Sequence, residues 1–410
     1  MKLSRAAPIL IDMKDTSVSC DVAVVGGGPT GLASAIALAR SGAVTALIAR
    51  RAPYADNRTT ALLGASIDFL RELEVWQRCE DKAAALKVMR LVDDTGRLIR
   101  APEVRFSSDE IGLDAFGFNI QNRSLTAVLE ERAGQLANLI RLDDDAEIVT
   151  PDETAVAIRT TGGRSLSARL VVGADGRHSL CREAAGIEVT RRELDQAALT
   201  FNVSHSRPHR NVSTEFHTSQ GPCVFVPLPG ERCSVVWVAS PMEAARLRDL
   251  SDDELSEAAE RQSHSIFGRL RVEPGRYLFA VAIERPNAFA KRRVALVGEA
   301  AHVVPPIGAQ GLNMGLRDAA DIADIVREAS AAGGDPGAPS GLWRYDLRRR
   351  ADILSRTFAI DMANRSLLNE LLPMQSLRAA GLHLIGSVPP LRRLVMREGL
   401  APSWRSRRAG

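Results

Sequence analysis

Short apolar runs that stop at glycine recur along the chain. Asp21–Val25 is such a run, and it is followed by the Ala/Leu-rich segment Leu32–Arg40 and a second apolar run, Val44–Ile48. This order predicts a strand, a tight turn, a helix and a second strand. Leu170–Val172 and Val294–Val297 are also followed closely by glycine, which is typical of parallel strands that end at a ligand crevice.

The middle of the chain has a different pattern. Four short β-like runs follow one another there, Ala198–His205, Ser213–His217, Cys223–Pro227 and Ser234–Ala239, and a turn at residues 229–231 joins the last two. This spacing predicts an antiparallel sheet. The expected fold class is therefore α/β, with a doubly wound, Rossmann-like domain, an inserted antiparallel β-rich domain and a C-terminal helical region. The crevice between the two domains is the expected ligand site.

The predicted domain boundaries follow from these patterns. The doubly wound domain takes residues 20–75, 120–185 and 290–330, and the β-rich domain takes residues 76–119 and 186–289. Residues 331–341 are rich in Gly, Ala and Pro, so residues 331–410 are predicted to form a linker and a helical tail.

The predicted tail is basic and amphipathic. The whole chain has a net charge of +3, but residues 341–410 contain thirteen Arg against five acidic residues. Apolar pairs such as Leu394-Val395 lie between the arginines. Contact with an anionic membrane surface, packing against the doubly wound domain and dimerisation would each explain this pattern, as would a solvated basic face.

Composition narrows the class of protein. Apolar residues make up 45% and charged residues 25% of the chain, the usage of an ordinary folded protein. The five cysteines are far apart, without a CxxC pair or a His cluster beside them, so neither a metal site nor a disulfide framework is expected. No long apolar run predicts a membrane span. A cytoplasmic protein is expected, and nucleic acid is not an expected partner because the basic tail has no recognisable reading motif.

A dinucleotide fingerprint follows the first predicted strand. Gly26, Gly28 and Gly31 form a GxGxxG pattern at the start of the predicted helix. The first glycine permits a tight turn, the second lets backbone N–H groups approach a pyrophosphate, and the third packs the helix on the strand. A glycine-rich turn without a ligand is the alternative.

The end of the second predicted strand departs from the fingerprint. An acidic residue for the ribose hydroxyls is expected near position 49, but the chain has Ala49, followed by Arg50 and Arg51. An arginine at this place could contact phosphate or adenine, and a solvated arginine pair explains the sequence equally well.

Two later segments carry a family resemblance. Val172–Arg182 (VGADGRHSLCR) and Gly298–Asp318 (GEAAHVVPPIGAQGLNMGLRD) resemble the "GADGxxSxxR" and "GDAAHxxxPxxGQGxNxGxxD" motifs of the single-component FAD-dependent aromatic hydroxylases. Arg58–Leu62, Asn122–Leu129 and Pro305–Asn313 are similar to the branch of that family that hydroxylates polyprenylated aromatic rings in ubiquinone biosynthesis.

The resemblance implies a set of cofactor-binding residues. FAD would be held at its ADP end by the three fingerprint glycines, with Arg58 and Asn122 along the cofactor. Asp175 would lie near the pyrophosphate and the approach of the nicotinamide cofactor, and Glu299, where the family usually has Asp, would lie at the ribityl chain. The isoalloxazine would meet Gly311, Leu312 and Asn313.

The last of these assignments also has a physical argument. Gly311–Ala329 has helical periodicity and begins among glycines, so its N-terminus can face a ligand. The positive end of a helix stabilises negative charge, and a reduced flavin is anionic at its pyrimidine edge. A buried helix whose glycines only permit close packing is the alternative.

No catalytic acid or base is assigned from the sequence. His302 lies inside the fingerprint, which favours a role in packing or at a helix start. His205, His209 and His217 fall on or beside the β-rich insert, where surface or hydrogen-bonded histidines are common. In this chemistry the cofactor performs the difficult steps, so a catalytic triad or metal cluster is not required.

The implied function is the hydroxylation of a polyprenylated phenol in ubiquinone biosynthesis by an FAD-dependent monooxygenase. Its co-substrates would be NAD(P)H and O2, and it would act at the inner face of the membrane beside other proteins of the pathway. Three alternatives remain open: hydroxylation of a small soluble phenol or hydroxybenzoate, FAD-dependent reduction of prenyl chains, and a non-catalytic flavin-bearing scaffold. The scaffold is motivated by Ala49 and Glu299, which stand at two usually acidic positions of the family.

Overall fold

A mainly parallel sheet forms the base of the fold in the computed structural model of this chain. The structure describes residues 18–51, 57–97, 100–368, 379–381, 383–385 and 387–400. The strands of the sheet lie in the order β18 (Ala290–Lys291), β19 (Val294–Leu296), β11 (Ser165–Gly173), β1 (Val18–Val25), β2 (Thr45–Ile48) and β8 (Leu139–Leu142). All neighbours are parallel except β18 and β19. Two antiparallel strands, β10 (Val156–Thr160) and β9 (Ala146–Pro151), extend the sheet from β11.

The first helix lies deep in this domain. α1 (Pro29–Arg40) connects β1 to β2 and packs against α3 (Asn122–Ala133) and α7 (Gln310–Ala331). Its nine residues from 31 to 39 are all buried, and the end of β1 is also inaccessible to solvent. A helix or strand that is covered on every side needs a continuous apolar sequence, which explains the runs in the N-terminal segment. The predicted strand, turn, helix and strand are confirmed.

A second sheet forms most of the inserted domain. Its strands lie in the order β16 (Leu270–Val272), β12 (Val189–His205), β15 (Arg232–Ala239), β14 (Pro222–Leu228), β13 (Val212–His217), β5 (Val88–Asp93) and β6 (Val104–Ser107), and β17 (Tyr277–Pro286) also pairs with β12. The four predicted runs fall within β12 to β15, so the antiparallel sheet is confirmed; β13 and β5 form its parallel pair. Helices α5 (Pro241–Asp249) and α6 (Asp252–Gln262) contribute to the apolar core on one face of this sheet.

A small third sheet joins the two larger units. It consists of β3 (Thr59–Leu63), β7 (Gly117–Gln121) and β4 (Ala83–Leu86), and it contacts both α7 and β14. The remaining short elements are α2 (Gly64–Glu72), α4 (Leu180–Ala184) and 3-10 turns at 76–78, 80–82, 108–111 and 298–300. Because β3 lies before residue 75 and β4 after it, this sheet crosses the predicted domain boundary.

The C-terminal region differs from the predicted linker and tail. α8 (Pro339–Leu368) begins inside the predicted linker and packs against α7, and α9 (Pro389–Leu400) follows later. Tyr345 of α8 is fully buried and donates a hydrogen bond from its hydroxyl group to the carbonyl of Leu296, at the end of β19 (2.7 Å). The first part of the predicted tail therefore belongs to the core of the doubly wound domain.

A buried ion cluster fixes α8 to α7. The Arg349 side chain is completely buried and lies 2.6 Å from Asp318, 2.9 Å from Asp321 and 2.9 Å from Asp352. Burial disfavours the charge on Arg349, but the three carboxylates outweigh it and hold the pKa of Arg349 above its ordinary value. Arg317 also reaches Asp352, at 2.8 Å. An arginine-rich sequence suggests a solvated surface, and here it instead supplies the cations of an interior network.

We expect removal of the Arg349 guanidinium to destabilise the protein strongly. Arg349→Met leaves three carboxylates in the interior without their main partner, and loss of one partner from a buried ion pair typically costs about 3–5 kcal/mol. Denaturant unfolding followed by circular dichroism measures this change. Arg327→Met is the matched control, because the Arg327–Asp324 pair is exposed and should contribute less than about 0.5 kcal/mol. Equal stabilities of the two variants would contradict the account.

Candidate cofactor and substrate site

The fingerprint loop between β1 and α1 can be built only with glycine at two of its positions. Gly26 has a φ of +112°, and a Cβ there would lie 2.2 Å from the carbonyl oxygen of Ala174. A Cβ on Gly31 would lie 2.1 Å from the carbonyl oxygen of Gly26. Gly28 is different, because no heavy atom lies within 4 Å of its Cβ position. Gly28 thus leaves the loop open toward the adjoining cleft.

That cleft has a volume of about 1030 Å³ and lies at the carboxyl ends of β1 and β2. Gly26, Gly28, Arg50 and Asp175 are the predicted site residues that line it. The N-terminus of α1 has no side-chain cap and no acidic residue in its first turn. Free N–H groups and the positive end of a helix suit a phosphate, so the cleft fits the pyrophosphate half of a dinucleotide.

The end of β2 carries no carboxylate for a ribose. Ala49 is buried, and the Arg50 side chain that follows it is mostly exposed and lies 2.7 Å from Asp145. The backbone N–H of Arg51 donates to the Asp143 carboxylate (2.7 Å). The Arg50 guanidinium therefore lies at the cleft as an ion-paired group.

Asp175 shapes the opposite edge of the cleft. Its Oδ1 accepts a hydrogen bond from the Ser179 hydroxyl (2.6 Å), and its Oδ2 accepts one from the backbone N–H of Cys181 (3.0 Å). These bonds hold the loop that leads into α4 beside the fingerprint glycines. The Asp175 carboxylate is thus a positioning group at the edge of the cleft, and its place near a bound pyrophosphate stays a prediction.

A second cavity, of about 340 Å³, lies between the start of α7, the small sheet and one face of the antiparallel sheet. The predicted site residues that line it are Arg58, Asn122, Glu299, Gly311 and Leu312. It adjoins the first cleft at the start of α3, where Asn122 lines one space and Arg123 the other. Two adjoining spaces, one of them at the uncapped N-terminus of α1, suit an elongated ligand with a phosphate-rich end.

The N-terminus of α7 opens on the second cavity. α7 begins at Gln310 without a side-chain cap and without an acidic residue in its first turn. A Cβ on Gly311 would meet no heavy atom within 4 Å, whereas a Cβ on Gly315 would lie 2.5 Å from Oγ1 of Thr30 on α1. The two glycines therefore have different roles. Gly315 permits close packing of α7 on α1, and Gly311 leaves space for a ligand at the cavity.

The Asn313 side chain does not line the second cavity, although the family resemblance implies that Asn313 meets the isoalloxazine. Its side chain is fully buried, accepts a hydrogen bond from the backbone N–H of Leu63 (2.9 Å) and donates to the carbonyls of Ala61 (2.8 Å) and Ala309 (2.6 Å). It therefore ties β3 to the first turn of α7 and does not line the cavity with its side chain. The sequence could not indicate this, because the partners on β3 are about 250 residues away.

Glu299 and His302 lie in the turn that precedes α7. The Glu299 side chain is largely exposed, and its carboxylate lies 3.6 Å from Arg177, a cavity-lining residue. His302 is buried, with Nε2 at 2.8 Å from Asp318, which also accepts the backbone N–H of Gly298 (2.9 Å). The interpretation of His302 as a packing residue agrees with this geometry.

The three histidines of the insert have separate environments. His205 is buried against Phe267, and burial, together with the neighbouring His209, lowers the pKa of His205. His209 places Nε2 at 3.1 Å from two backbone carbonyls. His217 lies 3.0 Å from Glu215, which lines the second cavity. Sequence analysis did not single out Glu215, and only the pairing of the strands shows which way it faces.

Comparison with known proteins agrees with this geometry. The FAD binding domain family matches residues 19–352. A ubiquinone hydroxylase, UbiL, of Rhodospirillum rubrum is 31% identical over 387 residues, which cover 93% of this chain and 89% of the relative. The 3-demethoxyubiquinol 3-hydroxylase of Escherichia coli is 28% identical over 94% of this chain and 99% of its own length.

A solved structure shares the fold. The p-nitrophenol 4-monooxygenase PnpA of Pseudomonas putida superimposes with a TM-score of 0.77 at 21% identity, covering 93% of this chain and 98% of that protein. The open glycine loop, the uncapped α7 and the family match over most of the chain lead to one conclusion. This chain belongs to the FAD binding domain family, in the branch that its sequence motifs resemble.

Proposed function

We propose that this protein is an FAD-dependent monooxygenase that uses NAD(P)H and O2 to hydroxylate the aromatic ring of a polyprenylated phenol in ubiquinone biosynthesis. The observation that carries the proposal is the second cavity, where the uncapped start of α7 lies opposite a sheet face with apolar side chains. The names and near-complete coverage of the two relatives above support the pathway.

The cofactor-binding roles follow from the two spaces. Gly28 and the N-terminus of α1 would hold the pyrophosphate, with Gly26 and Gly31 shaping the loop. Arg50 would lie toward the adenosine end, where its pairing with Asp145 fixes its position. Bound FAD supplies the exchange of electrons between NAD(P)H and O2, which no side chain can provide.

The other end of the cofactor would lie against α7. Backbone N–H groups at Gly311 and Leu312, with the positive end of the helix, would stabilise negative charge at the pyrimidine edge. Asn313 acts indirectly, by fixing this turn to β3. Arg58, Asn122 and Glu299 would line the path between the two ends.

The sheet face opposite α7 would receive the substrate ring. Val224, Val236 and Leu91 supply apolar surface from three strands, and Phe279 and Pro305 border the same cavity. An apolar wall keeps water from the reacting atoms and so protects the coupling of NAD(P)H oxidation to hydroxylation. A phenol that carries a prenyl chain is itself mostly apolar and suits this lining.

The alternatives find no support in the relatives named above. A small soluble hydroxybenzoate would favour an arginine free to bind its carboxylate. The arginines that line the cavity have other contacts: Arg177 lies near Glu299, Arg90 lies 2.7 Å from Glu103, and Arg58 lies 5.9 Å from the ring centre of Tyr277. Neither relative's name indicates a prenyl-chain reductase or a non-catalytic scaffold.

Peripheral contact with the inner face of the membrane, beside other ubiquinone-pathway proteins, is part of the proposal. Within the described residues, no helix has the length and apolar character needed to cross a bilayer. One face of α8 is nevertheless apolar and exposed over five residues at helical spacing: Trp343, Leu347, Leu354, Phe358 and Met362. Leu394 and Val395 of α9 are also exposed. Other residues of the predicted apolar tail, such as Leu371, Leu372 and Leu382, lie outside the described part of the chain.

The proposed activity predicts substrate-stimulated oxidation of NAD(P)H. We expect the FAD-loaded protein to consume O2 faster with a short-chain prenylated phenol than with 4-hydroxybenzoate, because only the former matches the apolar wall. An oxygen electrode measures O2 consumption, absorbance measures NAD(P)H oxidation, and mass spectrometry identifies the product. Stimulation by hydroxybenzoate alone would favour the small-phenol alternative, and bound FAD without any NAD(P)H oxidation would favour the scaffold.

Membrane contact predicts binding to anionic vesicles through α8. Phe358→Glu should reduce co-sedimentation with vesicles that contain phosphatidylglycerol, because a charge on the apolar face opposes insertion between headgroups. Met242→Glu, at an exposed apolar residue of α5, is the matched control and should bind as the wild type does. Equal binding of both variants, or no salt-sensitive binding by the wild type, would exclude this surface.

The open position of Gly28 predicts a variant that folds but binds FAD weakly. Gly28→Val places its side chain in the cleft and should raise the Kd for FAD by roughly 10-fold or more, since one lost phosphate contact is worth about 1.4 kcal/mol or more. Flavin fluorescence titration of the apoprotein measures the effect, and Gly381→Val, the same substitution at an open position that lines neither cavity, is the control. Wild-type FAD affinity in Gly28→Val would place the pyrophosphate elsewhere.

A further inference from the structure

The cavity face of the antiparallel sheet carries one row of side chains in register across five strands. Neighbouring residues in this row pair directly in the sheet, and all of them line the second cavity. They are Thr200, Val236, Val224, Glu215 and Leu91. A carboxylate among valines and leucine in the middle of a ligand wall needs an explanation, because burying a charged group near apolar surface is costly.

The Glu215 carboxylate is held by one partner. Oε1 lies 3.0 Å from Nε2 of His217, two residues further along β13 and therefore on the same face of the strand. Both side chains are largely buried, at 18% and 11% exposure. Oε2 accepts no hydrogen bond from any residue that the structure describes.

The other charged groups near this pair already have partners. Arg90 of β5, which lines the same cavity, lies 2.7 Å from Glu103. Asp93 of β5 lies in register with His217, and its carboxylate accepts hydrogen bonds from Thr95 and from the backbone N–H of residue 101. The adjacent Asp94 lies 3.0 Å from His264. Among the described residues, the second cavity has one other acidic lining residue, Glu299, which lies on the turn before α7.

We propose that Glu215 is a catalytic residue that accepts the phenolic proton of the substrate, with His217 as its positioning residue; this rests on the proposed function. As the ring carbon gains one oxygen atom of O2, whose other atom is reduced to water with the two electrons of NAD(P)H, the phenolic oxygen becomes carbonyl-like and its O–H bond breaks. The proton passes to the Glu215 carboxylate, and the electron pair of the broken bond moves into the ring. When the ring regains aromaticity, the hydrogen on the hydroxylated carbon leaves as a proton to water, the electron pair of that C–H bond stays in the ring, and the proton on Glu215 returns to the phenolic oxygen.

The geometry fits this role in two respects. A general base must lie within hydrogen-bond reach of the proton that it takes, and Glu215 lines the space opposite the start of α7, where the substrate ring would lie. The hydrogen bond with His217 fixes one carboxylate oxygen and leaves the other without a partner among the described residues. If the Glu215–His217 pair were purely structural, replacing Glu215 would not change the pKa of a bound phenol.

The first test uses binding alone, so it does not depend on turnover. The probe is a nitrophenol with a short prenyl chain, whose phenolate absorbs visible light, titrated with pH on the oxidised FAD-loaded protein. Glu215→Gln should lower the pKa of the bound nitrophenol by about one unit or more, because the wild-type carboxylate repels a phenolate beside it. Glu193→Gln, the same substitution at an exposed residue of β12 near Arg191, should leave that pKa unchanged.

The second test uses product formation. With a prenylated phenol, Glu215→Gln should lower the hydroxylation rate by roughly 100-fold or more, while FAD content and NAD(P)H oxidation persist and O2 is converted to peroxide. His217→Ala should lower product formation as well, and His217→Gln, which keeps an N–H donor, should restore part of it.

The outcomes separate this inference from the function on which it rests. An unchanged nitrophenol pKa in Glu215→Gln, or wild-type product formation by that variant, overturns the role of Glu215. A lowered nitrophenol pKa in a protein that hydroxylates no prenylated phenol supports the placement of Glu215 against a phenol, and it is the proposed function that then fails.

Discussion

A single buried carboxylate, Asp318, connects the elements on which the site depends. Its two oxygens meet Arg349 of α8, His302 and the backbone N–H of Gly298, so one group joins α7, α8 and the turn after β19. Burial alone would raise the pKa of Asp318, but Arg349 and His302 outweigh it and lower that pKa, which keeps the group charged. In the interior such a network is sensitive to the loss of any member.

This constraint determines what the N-terminus of α7 can do. A helix end attracts an anion only if it is held in a fixed position and remains uncapped, because otherwise its N–H groups bond to the protein or to water. Asp318 fixes the helix from within the core, and Asn313 fixes its first turn to β3. Gly311 then leaves the space that a flat ring system requires. The packing of the doubly wound domain and the position of the proposed flavin edge are thus consequences of the same contacts.

Local sequence was enough for the parts of the fold that local physics determines. The run Asp21–Val25 indicates a strand because burial restricts its residue type directly, and Gly26 and Gly31 indicate a tight turn because a positive φ at the first and a close backbone contact at the second exclude other residues. The four antiparallel strands of the insert were predicted for the same reason. Arg349 could not be placed in this way, because its partner Asp318 is 31 positions earlier in the chain. An arginine without a known partner is most simply interpreted as exposed.

The candidate site also combines features that local sequence indicates with features that depend on distant parts of the chain. The family resemblance named Arg58, Asn122, Asp175 and Glu299, and these residues line one or other of the two cavities; their role toward a cofactor stays a prediction. The resemblance did not predict that Asn313 is turned away from the cavity, nor that Glu215 faces into it, because both facts depend on strands that meet only in the folded chain. The lining of the substrate side is therefore information that the structure adds.

The central claim is that one atom of O2 enters the ring of a prenylated phenol in this site. A reaction under isotopically labelled O2, with the product analysed by mass spectrometry, tests it most directly. The account predicts one labelled oxygen in the ring hydroxyl group and close to one NAD(P)H consumed for each product molecule. A product whose new oxygen comes from water, or one altered only in its prenyl chain, would contradict it.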